Sequence, residues 1–302
     1  MTEKTLKTFD DILNAVKDKA PKRVAVAAAQ DDAVLEAVRG ACEQKIAEFT
    51  LVGDIDKIKA IAHKFDVSLD DVLLVHEPDC RKAAYRAVAL VSSGQADVLM
   101  KGQINTADLL RAVLDKEVGL RTGRVLSHTA VYELPGFERL LIITDGGMNI
   151  APTLQQKADI IQNSVLLATV LGISPAKVAV LAAVEVVNPD MPATLEAAAL
   201  TKMADRGQIR GAIVDGPLAF DNAISLEAAK HKGIISPVAG VADILVTPDI
   251  EAGNILGKSL VYLAKGKMAG LIVGAAKPVV VTSRADTYEA KLMSIAIGTL
   301  MG

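Results

Sequence analysis

Apolar runs alternate with amphipathic stretches almost from end to end of the chain. Segments 23–29, 49–53, 72–75, 96–101, 140–144, 178–183, 211–215, 244–247 and 271–282 are short and rich in Val, Ile, Leu and Ala, and they predict strands. Segments 31–47, 106–116, 155–171 and 286–298 predict helices. Strands alternating with helices imply βαβ units. The expected fold class is therefore α/β, with a largely parallel sheet, helices on both faces and right-handed crossovers. Residues 124–134 break the alternation. They read as a strand, and the next strand candidate follows after only a short Pro135-Gly136 turn. An antiparallel pair is expected there, and it marks a change of domain.

Composition narrows the picture. The 302 residues suffice for two packed domains. Hydrophobic residues make up 51% but aromatics only 3%, so the core must rest on aliphatic side chains. A net charge of −3 gives no reason to expect nucleic-acid binding, and aromatic platforms for single strands are scarce. Cys42 and Cys80 form no disulfide framework and read as ordinary buried thiols in helices. His63, His76, His128 and His231 lack metal-ligand spacing, so no metal is expected. The first residues, MTEKTLKTFDD, lack the apolar segment of a signal peptide, and no apolar run is long enough to span a bilayer. A cytoplasmic protein without membrane partners is the expectation. No long linker or low-complexity tract betrays a domain boundary.

In open α/β sheets ligands bind at the carboxyl ends of strands, so the residues after each strand matter most. These loops contain Gly102-Gln103-Ile104-Asn105-Thr106, Asp145-Gly146-Gly147-Met148-Asn149, Asp215-Gly216-Pro217, Pro248-Asp249, Ala252-Gly253-Asn254 and Ser283-Arg284-Ala285-Asp286. Ser283-Arg284 stands between an apolar strand and a helix start. Free N–H groups, the helix dipole and an Arg together suit a phosphate or acyl phosphate. The same residues also read as a capping box, Ser283-x-x-Asp286 or Asp286-x-x-Glu289. Lys101 ends an apolar strand and is either ligand-facing or salt-bridged. Arg111 alone reads as a solvated charge and Asn254 as a helix cap. Asp145 and Asp215 are turn formers or site carboxylates. Lys277-Pro278 predicts an edge, a bulge or a break in the last strand. After the first strand stands Ala27-Ala28-Ala29-Gln30 rather than a dinucleotide-binding glycine motif. Walker A, GxSxG and HExxH patterns are absent as well.

Six blocks in order carry a resemblance. They are ADVLMKGQINTADLLRAVL (96–114), GRVLSHTAVYELPG (123–136), ITDGGMNIAPTLQQKADI (143–160), VDGPLAFDNA (214–223), SPVAGVADILVTPDIEAGNILGKSL (236–260) and GAAKPVVVTSRADT (274–287). The chain resembles the phosphate acetyl/butyryltransferase family, the butyryltransferase branch in particular. The resemblance implies a two-domain isocitrate/isopropylmalate-dehydrogenase-like fold with an active-site cleft between domains. Domain I would comprise 1–130 plus 271–302, and domain II 131–270. It implies a homodimer or higher homo-oligomer acting on small molecules, with CoA as substrate and no bound cofactor. Ser283 and Arg284 are the implied catalytic residues; the family's acid position holds Ala290 here, so the nearby Asp286, or Glu289, is the expected base, which makes Asp286 the third catalytic candidate. Arg111, Lys101, Ser127, Asp249 and Asn254 would bind phosphate or substrate, and Lys277 and Gly253 would bind CoA. The implied reaction is butyryl-CoA plus phosphate to butyryl phosphate plus CoA, by direct attack in a ternary complex. Acetyltransferases of the family commonly carry Asp-Cys-Ala where Asp145-Gly146-Gly147 stands, and an acid where Ala290 stands. An arginine of theirs is also missing near Val261-Tyr262. Those departures favour the butyryl branch. Phosphate acetyltransferase, an NAD- or metal-dependent dehydrogenase on the same fold, and a non-catalytic CoA- or acyl-phosphate-binding regulator stay open as alternatives.

Overall fold

The computed structural model describes residues 5–282 and 286–302. In chain order the elements are α1 (Phe9–Lys17), β1 (Lys22–Ala27), α2 (Asp32–Glu43), β2 (Ala47–Gly53), α3 (Ile55–Lys64), β3 (Val72–His76), α4 (Cys80–Ser92), β4 (Val98–Lys101) and α5 (Thr106–Val113). There follow β5 (Ser127–Glu133), β6 (Leu141–Thr144), α6 (Leu154–Val170), β7 (Ala176–Leu181), α7 (Pro192–Asp205), β8 (Ala212–Leu218), α8 (Phe220–Ile224), α9 (Leu226–His231), β9 (Ile244–Val246) and α10 (Ile250–Tyr262). The chain closes with β10 (Lys267–Val273), β11 (Val279–Val280) and α11 (Tyr288–Met301). This is a mixed α/β protein whose strand pairs are mostly parallel. Two compact units form: 9–124 with 269–302, called the outer unit, and 1–8 with 125–268, called the middle unit.

In the outer unit the strand order is β3-β2-β1-β4-β11-β10. All neighbours are parallel except β10 and β11. Val24, Ala25 and Val26 pair with Val98, Leu99 and Met100, and all six are fully buried. Burying a Val, Leu or Met side chain contributes roughly 1.5–3 kcal/mol, so these runs hold the sheet centre. Acidic N-caps start the helices that follow. Asp31 accepts from the Val34 amide, Asp54 from Lys57, and Asp79 from Arg81 and Lys82. α11 is buried on nearly every side, as expected for a helix apolar all round. Its Gly298 lies so close to the sheet that a Cβ would stand 3.0 Å from Val280 and 3.2 Å from Val98.

In the middle unit the order is β5-β6-β9-β7-β8. β5 and β6 form the expected antiparallel pair, from Thr129↔Thr144 to Tyr132↔Leu141, and the other pairs are parallel. Alternate residues build one face of the core: Ala130 and Tyr132, Leu141 and Ile143, Ala179 and Leu181.

Four local expectations need correction. The helix expected over 31–47 stops at Glu43, because Lys45 takes φ 55 and Ala47 already pairs with Lys22. The strand expected over 271–282 is two antiparallel pieces, separated by a turn in which Gly274 has φ 105. The last helix is capped by Thr287, which accepts from the Ala290 amide, not by Ser283 or Asp286. Cys42 and Cys80 are half-buried, not buried.

Candidate active site

The carboxyl ends of β1, β4 and β11 converge on one pocket of the outer unit, with a volume of about 550 Å³. The chain closes tightly there. Ala28 takes φ 55, the Gly102 amide donates to the Ala27 carbonyl at 2.8 Å, and Gln103 donates to the Ala28 carbonyl at 2.6 Å. A Cβ on Gly102 would stand 2.2 Å from the Ala28 oxygen, so only glycine fits that approach. The 101–104 loop is thereby pinned against the end of β1.

Gln30, Lys57, Lys101, Gln103, Thr282 and Lys291 bring polar groups to the wall. Gln30 is 4% exposed; its Oε1 accepts from the Asp54 amide at 3.3 Å, and its Nε2 points to Cys80 Sγ at 3.5 Å. Lys101 Nζ donates to the carbonyls of Gly102 (3.2 Å) and Ile104 (3.0 Å). Lys291 is only 5% exposed, and its Nζ donates to the Asp286 carbonyl at 2.5 Å. No carboxylate lies within ion-pair distance of Lys291 among the described residues. The acidic side chains on the wall are engaged elsewhere. Asp31 caps α2 and Asp32 pairs with Lys64 at 2.8 Å, while Lys57 is held by Asp54 at 3.1 Å. A buried cation without a counter-ion is costly, and an anion entering the pocket would relieve that cost.

A second, smaller cleft of about 510 Å³ shares Gln103 and Ile104 with the first and adds Asp79, Cys80, Arg81, Asn105 and Asp108. Arg111 is largely exposed and pairs with Asp108, which Arg81 also approaches at 3.4 Å. The Arg111 hydrogen bond, with the Arg81 charge behind it, holds the Asp108 carboxyl below its ordinary value.

Ser283 and Arg284 lie outside the described residues. Their neighbour Thr282 lines the pocket, and Asp286 supplies the carbonyl that Lys291 meets. Glu289 is exposed on the first turn of α11. The structure thus gathers Lys101, Thr282, Asp286 and Lys291 at one end of the outer sheet. Lys277 is not among them. It sits at the other end of β4, where its Nζ is 3.9 Å from Asp97.

The remaining candidates belong to the middle unit. Asp145 is buried and saturated: Oδ1 accepts from the amides of Gly147 and Met148, and Oδ2 from the Asn149 amide and side chain. Of its two readings, the turn former is the one this geometry supports. Asp215 likewise accepts from the Gly216 amide at 2.9 Å. Asp249, not Asn254, caps α10 by accepting from Ala252 at 2.8 Å. Asn254 instead donates to the Gly146 carbonyl at 3.1 Å. A Cβ on Gly253 would stand 2.7 Å from the Asp145 oxygen and 2.8 Å from Gly146 Cα, so α10 packs directly on the 145–147 loop. Ser127 is fully buried and accepts from Asn163 Nδ2 at 3.0 Å. No group of three or more His, Cys, Asp or Glu side chains that could hold a metal occurs among the described residues. Nor is any described helix long and apolar enough to cross a membrane.

Reading loops one by one left Gln30 and Lys291 unnoticed. Gln30 drew attention only because a glycine motif was missing there. Lys291 offered only a faint signal, as the one basic residue of α11, directly before its uncharged run 292–301.

A family model described as phosphate acetyl/butaryl transferase matches residues 7–83 and 76–299. The chain belongs to this family. It is 54% identical over 296 residues to the phosphate butyryltransferase of Clostridium acetobutylicum, covering 98% of each chain. It is 52% identical over 279 residues to the phosphate acetyltransferase of Thermotoga maritima, covering 92% of this chain and 95% of the relative. Among solved structures, a branched-chain phosphotransacylase from Enterococcus faecalis V583 superposes with a TM-score of 0.82 at 36% identity, covering 93% of this chain and 98% of that one. That phosphotransacylase shares the fold seen here over nearly its whole length.

Proposed function

We propose that this protein transfers a short-chain acyl group between coenzyme A and phosphate, with butyryl-CoA plus phosphate giving butyryl phosphate plus CoA. Family membership supports the reaction class, and the 54% identity to a phosphate butyryltransferase supports the four-carbon acyl group. The observation that carries the reading at the site is Lys291, a buried ammonium without a carboxylate partner among the described residues, on the wall of a strand-end pocket. Phosphate is the anion the reaction brings.

In the direction of CoA acylation, the CoA thiolate attacks the acyl phosphate carbonyl. The C–S bond forms, the C–O bond to phosphate breaks, and phosphate leaves as the anion. Arg284, Lys101 and Lys291 neutralise the phosphate, with Arg111 at the neighbouring cleft. Ser283 donates a hydrogen bond to the carbonyl oxygen or the phosphate. One such donor is typically worth about 3–4 kcal/mol in the transition state. Asp286 takes the thiol proton. No covalent enzyme intermediate is needed, because both substrates are held together. Asp249 and Asn254 contribute to substrate binding through the 145–147 loop on which α10 rests. The reading brings with it a two-domain isocitrate/isopropylmalate-dehydrogenase-like fold and a cytoplasmic homo-oligomer.

The test is CoA release from acetyl-, propionyl-, butyryl- and isobutyryl-CoA, with and without phosphate, followed with a thiol reagent. The protein's own Cys42 interferes little, since burial, with Asp71 and Glu43 behind it, pushes its thiol up to about 11. Phosphate-dependent release fastest with the four-carbon substrates is expected. Release fastest with acetyl-CoA would favour the second reading, phosphate acetyltransferase, to which the 52% identity with the Thermotoga maritima enzyme points. Release indifferent to phosphate would remove the function.

A further inference from the structure

The pocket at the carboxyl ends of β1, β4 and β11 has two unlike sides, and the transfer chemistry as described uses one of them. Lys101, Gln103 and Lys291 belong to the polar side. The other side is apolar. Ala33 and Val34 come to it from the first turn of α2, Ala60 and Ile61 from α3, and Ile104 from the loop after β4. Val34 is 4% exposed, so its side chain belongs to the core, and the two alanines are short. Among the described residues, Ile61 and Ile104 are therefore the long apolar side chains that this space meets. Every residue on both sides lies within the outer unit.

Ile104 has a particular place on that wall. Its carbonyl accepts from Lys101 Nζ at 3.0 Å, and its amide donates to the Gly102 carbonyl at 2.9 Å. The Gly102 and Gln103 amides fasten the same loop to the end of β1. The isoleucine is thus held beside an ammonium of the polar side. Chain entropy that would oppose binding at a free loop has already been lost here. Ile61 stands one turn along α3 from Lys57, and both line the pocket. In an acyl phosphate the alkyl chain begins on the far side of the carbonyl carbon from the phosphate. A phosphate held by Lys101 and Lys291 therefore brings that chain within a few ångströms of the same ammonium groups. A pocket with an apolar wall and a few placed polar groups suits such a ligand.

We infer that Ile104, with Ile61 on the same apolar wall, contacts the acyl chain of the substrate and sets the preference for its length. The inference rests on the acyl-transfer reading above and deepens it, and it needs only the outer unit. Each added methylene in an apolar contact changes discrimination by roughly 10–200-fold, enough to separate two carbons from four.

The experiment compares kcat/KM for butyryl-CoA and acetyl-CoA, with saturating phosphate, in the full chain and three variants, and measures the phosphate KM of each. Ile104→Ala is expected to lower the butyryl-to-acetyl ratio by about tenfold or more. Its phosphate KM should stay within about twofold of wild type, which shows Lys101 still in place. Ile104→Val keeps the branch and removes one methylene, so its ratio should fall between wild type and Ile104→Ala. Ile61→Ala lies on a helix apart from the loop and guards against a folding artefact there; it is expected to lower the ratio by about threefold or more. Ratios within about twofold of wild type in Ile104→Ala and Ile61→Ala, with CoA release still phosphate-dependent, overturn the inference and leave the acyl-transfer reading standing. So does a raised phosphate KM with an unaltered ratio in Ile104→Ala, which would make the residue a support for Lys101 alone. If the unmodified protein releases CoA without regard to phosphate, the reading beneath falls first, and this inference with it.

Discussion

The two units present the same architectural position, the carboxyl ends of parallel strands, and fill it in opposite ways. In the middle unit the polar groups after β6 and β9 satisfy one another. Asp145 spends both oxygens on the 147–149 turn, Asn254 closes on Gly146, and Gly253 brings α10 onto the loop with no room for a side chain. In the outer unit the end stays open. The Gly102 loop is pinned to β1, yet Lys101, Gln103 and Lys291 still face about 550 Å³ of space. Close packing and saturated hydrogen bonds give a rigid scaffold. A pocket edged by cations gives a place where an anion is needed. The difference teaches that Gly-rich loops at strand ends are alike in sequence and are told apart by what their polar atoms meet.

Substitutions can break that contrast. The largest effect is expected at Arg284, two residues after Thr282 in the sequence. Arg284→Ala should lower phosphate-dependent CoA release by about 10²–10³-fold while the circular-dichroism melt stays unchanged. Near-normal turnover in the folded variant would remove the residue from the mechanism. In the middle unit the sign of the response should be reversed. Asp145→Ala strips four hydrogen bonds from one turn and should cost about 2–4 kcal/mol of stability. Its KM for phosphate should stay within about twofold of wild type, since the loss is one of scaffold. A phosphate KM raised in a stable Asp145→Ala protein would make that carboxylate part of the site.

A smaller effect concerns pH. Arg111 and Arg81 hold the Asp108 carboxyl below its ordinary value in the fold. A depressed carboxyl contributes stability above its unfolded-state value and loses it as the pH falls through the folded one. Thermal melts of wild type and Asp108→Asn should therefore converge as the pH drops below about 4. Parallel melting curves across that range would show that the pair contributes nothing.

Much of this fold was legible because aliphatic strands announce themselves. The runs at 96–101, 140–144 and 244–247 lie on β4, β6 and β9, and the short Pro135-Gly136 turn joins the one hairpin it predicted. Boundaries were lost where backbone conformation rather than hydrophobicity decides. Lys45 and Gly274 end elements through positive φ, which the apolar pattern does not encode. The site was legible in its loops but less so in its walls. Lys101 stood out as a charge ending an apolar strand. Lys291 did not, because a lysine early in a helix reads as a surface residue until the sheet beneath is known to bury it. Lys277 drew attention by its neighbour Pro278, yet only the strand direction reveals that it lies at the far end of β4.

The most direct measurement is the KM for phosphate of Lys291→Met, assayed by CoA release from butyryl-CoA alongside wild type. Methionine keeps the length and apolar stem of the side chain and deletes the charge. A charged hydrogen bond to phosphate is worth about 1.5–3 kcal/mol, so the phosphate KM should rise by roughly 10–100-fold with the melting temperature held or raised. An unchanged phosphate KM and kcat in the folded variant would contradict the account, leaving the pocket of the outer unit without its anion.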